Sequence, residues 1–147
     1  MKNSQNIATI MTVVAIALGA LATTGLAASS LSYGKYTTRY GLRGVGDASD
    51  ASRFDILQNA GSGATDYWCA AGEYAIHKLG LTPTTRLYLV QPLGKGRLGR
   101  NSIGFSSAPT SGGVSSNGLT MSMNKVGQNW TVSHARAVCG SDDFRNR

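Results

Sequence analysis

The covalent chemistry open to this chain centres on Cys69, within ATDYWCAAGEYAIH at positions 64–77. Thr65 or Asp66 can cap a helix there. That puts Cys69 near the first turn, where the positive end of the helix dipole favours a thiolate. A cysteine hydrolase would use Cys69 as nucleophile on an acyl carbon and His134 as general base. Asn129, Asp142 or Asp143 would orient the imidazole, and backbone N–H groups near Cys69 would hold the oxyanion. The competing chemistry is oxidation. The chain has two cysteines, Cys69 and Cys139, and in an exported domain such a pair is expected to form a disulfide. Closing a loop of about 70 residues stabilises a fold by about 4 kcal/mol in chain-entropy terms, a large share of a net stability of roughly 5–15 kcal/mol. The disulfide is the leading expectation and the Cys69–His134 hydrolase the alternative. Formation of the first removes the nucleophile required by the second.

Glu73 follows Cys69 by four positions, beside the apolar stripe of the same helix. The sequence offers Arg136 or Arg86 as its ion-pair partner and shows no second acid with which it could do acid–base catalysis. A second cluster is cationic. Lys95, Arg97 and Arg100 fall within six residues among glycines, a composition that can bind phosphate or sulfate groups on a polymer with salt-sensitive strength. A solvated, charged hairpin turn is the plainer reading of the same residues. The loop has no interleaved aromatics on which bases could stack, so it carries no specific nucleic-acid signature.

Other patterns dissolve on inspection. Gly94-x-Gly96-x-x-Gly99 has the spacing of a dinucleotide loop, but the segment after it reads as a strand. The helix N-terminus that would face a pyrophosphate is therefore missing. Two S-x-x-K matches, at 32–35 and 122–125, lack the partner motifs of penicillin-recognising enzymes. There is no H-x-x-x-H, paired C-x-x-C or calcium-loop spacing. No metal site and no cofactor are expected. Asn129-Trp130-Thr131 matches a glycosylation sequon.

The elements that must position these residues follow from periodicity. One main helix is predicted over about 66–79, with Trp68, Gly72, Ala75 and Leu79 on a common face and Gly80 as the stop. Strands are predicted at 36–43, 53–58, 85–91 and 101–106. After a low-complexity loop at 109–118, a terminal hairpin is predicted, with arms at 119–126 and 130–138. Its first arm alternates Leu119, Met121 and Met123 with polar residues. Its second puts Trp130, Val132, His134, Arg136 and Val138 on one side. The fold class is α+β: one main helix packed on a mostly antiparallel sheet of five or six strands.

Residues 1–27 have the anatomy of a secretory signal. Lys2 precedes a 16-residue apolar run at 7–22, and Gly25-Leu26-Ala27 fits the cleavage rule. The run is shorter than the roughly 20 residues of a membrane span, so cleavage is expected and a retained anchor is the alternative. Cleavage would leave a single domain, residues 28–147, with no membrane span and a formal charge of +6, against +7 for the whole chain. Together these features predict a secreted or periplasmic, disulfide-bonded, basic domain with a binding, interaction or structural role in the cell envelope or extracellular space. Its expected partner is an anionic envelope polymer or another protein, and it carries no enzyme signature.

Overall fold

A computed structural model describes residues 35–110 and 120–139. The signal segment, most of the low-complexity loop, Leu119, Asp142 and Asp143 lie outside the described residues. In chain order the elements are β1 (Tyr36–Thr37), β2 (Arg43–Gly46), β3 (Arg53–Leu57), α1 (Ala64–His77), β4 (Arg86–Lys95), β5 (Asn101–Ser106), β6 (Asn129–Thr131) and α2 (Val132–Ala137). The strands form one antiparallel sheet in the order β1-β2-β3-β5-β4-β6. This is the α+β arrangement expected, with six strands, one main helix and a second, short helix.

Strand alternation builds the core. Phe54 and Ile56 of β3, Leu87 and Leu89 of β4, and Ile103 and Phe105 of β5 are all fully buried on one face. Trp68, Ala71, Tyr74 and Ala75 of α1 cover that face. Aromatic contacts knit the layers, with Phe54 stacked on Tyr74 at 4.6 Å and Trp68 edge-on to Phe105 at 5.0 Å. The register pairs Phe54 with Phe105 and Ile56 with Ile103, so large apolar side chains stand directly opposite each other across the two central strands.

Four local features differ from the sequence expectations. The predicted strand at 36–43 is a hairpin: Thr38 donates to the Leu42 carbonyl at 2.8 Å, and Gly41, at φ 76°, makes the turn that separates β1 from β2. Helix α1 starts and ends two residues earlier than predicted. Its N-cap is Gly63, whose N–H is accepted by Asp66 from within the first turn at 2.7 Å, so Asp66 acts back on the cap rather than being it.

The terminal hairpin does not form. Its second arm yields only the three-residue β6, after which Thr131 caps α2 by accepting from the His134 N–H at 3.2 Å. Val132, Ala135 and Cys139 then turn inward at helical spacing. The described part of the first arm, 120–126, is a loop. The buried Gln128 carboxamide holds it by accepting from the Ser122 N–H and donating to the Thr120 carbonyl, both at 2.7 Å. Trp68 Nε1 adds a bond to the Ser122 carbonyl at 3.0 Å. Met121 and Met123 still pack against the core, but from a loop.

Candidate functional site

Cys69 and Cys139 are joined in a disulfide, with their Cα atoms 5.0 Å apart. The bond ties the middle of α1 to the residues just after α2. The two helices pack closely because Gly72, one turn beyond Cys69, has no side chain. A Cβ there would lie 2.9 Å from Arg136 Cγ and 3.1 Å from the Arg136 main-chain nitrogen. With its sulfur bonded, Cys69 has no thiolate, and the hydrolase alternative loses its nucleophile. Its two other described members, His134 and Asn129, are engaged elsewhere. His134 is exposed and stacks on Trp130 at 4.3 Å. The Asn129 carboxamide accepts from Arg86 Nη1 at 2.5 Å and donates to the Gly127 carbonyl at 3.2 Å. Those bonds and its burial also take Asn129 out of use as a glycosylation acceptor in the folded chain.

Glu73 is 2 % exposed. It pairs with Arg39 rather than with Arg136 or Arg86: the Arg39 main-chain N–H donates to Oε2 at 3.0 Å and its Nε to Oε1 at 2.5 Å. The correction follows from the β1–β2 turn, which lays Arg39 over the helix. Next to it, the Tyr40 hydroxyl donates to the Cys139 carbonyl. The Glu73 carboxylate and the two cysteine sulfurs lie within 4.8 Å of one another, and all three residues are buried.

The three cations of the β4–β5 turn separate into two kinds. The Arg97 side chain folds back onto the sheet. Its Nε pairs with Asp55 at 2.8 Å and Asp47 at 3.3 Å, and its Nη2 donates to the Gly46 carbonyl at 2.9 Å. Asp55 is fully buried between Phe54 and Ile56, so alternation turns its carboxylate away from α1. Burial pushes its pKa up, opposed by Arg97 and Arg53. Asp47 shifts the other way: hydrogen bonds from the Ser49 hydroxyl and main chain, then the charge of Arg97, hold it below the ordinary carboxylate value. Arg97 is therefore an anchor for the turn.

Lys95 and Arg100 stay exposed. Lys95 sits opposite Asn101 in the β4–β5 ladder. Arg100 borders a cleft of about 110 Å³ together with Arg43, Gln58 and Asn59, floored by Leu42 and Leu57. The cleft continues into an open groove of about 490 Å³ along Gln58, Ala60, Arg100 and Asn101. The walls are fixed: the Gln58 N–H donates to the Asn101 carbonyl at 2.9 Å, and the Asn59 N–H to the buried Tyr67 hydroxyl at 3.2 Å. Two guanidiniums and three carboxamides, and no carboxylate among the described residues, thus line the recess, a donor-rich surface complementary to anionic oxygens. Arg43 had no mark in the sequence. It enters the site because β2 brings it beside the end of β3, 57 residues before Arg100.

Among the described residues no helix is long and apolar enough to cross a membrane. Comparison with protein-family models, with curated proteins and with solved structures finds no match to this chain.

Proposed function

We propose that this chain is an exported binding domain that engages anionic oxygens of an envelope polymer or protein partner through the Arg43–Arg100 cleft, with Lys95 on its margin. The single observation that carries the reading is the cleft itself: two exposed arginines converge with carboxamide donors over a fixed floor, and among the described residues no acid pairs with them. The excess of 14 basic over 7 acidic residues supports it by drawing polyanions toward the whole surface. The disulfide supports the exported setting, since such bonds persist in oxidising compartments.

Retention on heparin and on duplex DNA tests the proposal. Arg43→Gln with Arg100→Gln is expected to elute at lower salt. Each lost phosphate contact removes about 0.9 from the slope of log affinity against log salt, so the double variant should flatten it by about 1.8. Arg97→Gln is expected to lower thermal stability while leaving the slope nearly unchanged. Unaltered retention of the Arg43/Arg100 variant overturns the assignment.

A further inference from the structure

Glu73, Cys69 and Cys139 are close enough to share a metal ion, with their ligand atoms within 4.8 Å of one another. We infer that reduction of the Cys69–Cys139 bond opens a two-cysteine, one-glutamate site for a thiophilic divalent cation of the zinc class. Tetrahedral zinc holds thiolates at about 2.3 Å and so sets two sulfurs about 3.8 Å apart. Side chains on Cα atoms 5.0 Å apart reach that spacing by rotating about χ1, with the helices in place. Glu73, four residues after Cys69 on α1, presents its carboxylate on the same helical face.

The surroundings are those of a supported ligand set. Arg39 holds both Glu73 oxygens. One can turn to a metal while the other keeps its donor, as outer partners do in protein metal sites. The Tyr40 bond to the Cys139 carbonyl fixes the main chain that carries the second sulfur. Three protein ligands leave the fourth position for water or an outside ligand, the open arrangement of reactive zinc sites.

Atoms and charge balance. A dithiol reductant delivers two electrons and two protons to the Cys69–Cys139 bond and is itself closed to a disulfide. The metal then displaces both thiol protons. A divalent ion with two thiolates and one carboxylate carries a charge of −1, which the Arg39 guanidinium offsets. In the oxidised chain the same guanidinium offsets Glu73 alone. Neither state leaves an unbalanced buried charge, which would be costly.

The probe is cobalt(II), with zinc as competitor, added to the full chain after anaerobic reduction by a phosphine and its removal. Thiolate-to-cobalt charge-transfer absorption is expected at one equivalent, discharged by zinc and absent from the oxidised chain. Glu73→Gln should keep the disulfide yet weaken cobalt binding roughly tenfold or more, and Cys139→Ala should abolish the charge-transfer band. Circular dichroism follows the helices in parallel. Three results overturn the inference: no charge-transfer band from a reduced chain that keeps its helices; cobalt that cannot restore helices to a reduced chain that has lost them; or Glu73→Gln binding cobalt as tightly as the parent. None of these touches polyanion retention by the oxidised chain, so the cleft and the metal site stand or fall separately.

Discussion

Gly72→Ala sets two physical rules against each other. In an exposed helix interior, replacing glycine by alanine stabilises by about 1 kcal/mol. Gly72, however, is buried in α1 where α2 crosses it. The new Cβ would meet Arg136 Cγ at 2.9 Å, the Arg136 nitrogen at 3.1 Å and the Ala135 carbonyl carbon at 3.2 Å. Two of those three atoms are backbone, so side-chain rotation cannot clear them. Nor can α2 recede freely. The Thr131 cap holds its start, Val132 and Ala135 are buried in the core, and the disulfide holds Cys139 just beyond its end.

Overpacking of this kind costs about 1–3 kcal/mol. Set against the propensity gain, the net is a loss of about 1 kcal/mol, reaching about 2 if α2 shifts. Urea unfolding with the disulfide intact is the assay. With a slope of about 2 kcal/mol per molar, the midpoint should fall by roughly 0.5–1 M. Adding Arg136→Ala removes only the Cγ contact and should recover part of the loss. A Gly72→Ala chain more stable than its parent would refute the packing of α2 on Gly72.

Reduction of the disulfide, which spans 70 positions, should lower stability by about 4 kcal/mol. A thiol assay of the denatured, unreduced chain should find no free cysteine, and a urea midpoint that ignores reductant would contradict the cross-link's role. Asp55→Asn gives a pH signature. Burial raises the Asp55 pKa above its ordinary 3.8 in the folded chain. The folded state thus holds that proton more tightly, and the stability it contributes, present below 3.8, is lost as pH rises through the raised value. Asparagine mimics the neutral form, so the variant should gain on the parent as pH climbs from about 3 to about 6. Asp47 shares Arg97 with Asp55, but the Ser49 hydrogen bonds that chiefly hold it low are the same in both proteins. A difference that shrinks over that range would mean that Arg97 outweighs burial.

Long periodic segments were legible in the sequence and short ones were not. Helix α1 has four turns of apolar spacing, and the cores of β3, β4 and β5 declare themselves through Phe54, Ile56, Leu87, Leu89, Ile103 and Phe105. Helix α2 has six residues, too few for its period to stand out. Trp130, Val132, His134, Arg136 and Val138 fall at alternate positions and imitate a strand. The available signal was Thr131 as a cap ahead of Val132, Ala135 and Cys139 at spacings of three and four. The loop at 120–126 misled for another reason. Met121 and Met123 alternate as in a strand, yet the buried Gln128 carboxamide takes Ser122 and Thr120 as its partners, and no local pattern announces such a residue. The Cys69–Cys139 pair needed only a count of cysteines. Arg39 as the partner of Glu73, 34 positions away, required knowing that 36–43 doubles back.

The basic residues show why charge composition reads poorly as a binding site. By sequence, Lys95, Arg97 and Arg100 are equivalent members of one turn. In the fold, Arg97 is matched by two carboxylates from β2–β3 territory, Asp47 and Asp55, so its charge is spent on holding the turn against the sheet. Removing it from the surface count changes the site's centre. The turn's cations with no ion pair among the described residues are Lys95 and Arg100, now joined by Arg43 from a strand remote in sequence. Under the proposed function, a polyanion is expected to track from the β4–β5 turn toward the start of β2, following Gln58 and Asn101, rather than wrap the turn itself. That path, and not the run of basic residues along the chain, is what charge substitutions at Arg43 against Arg97 separate.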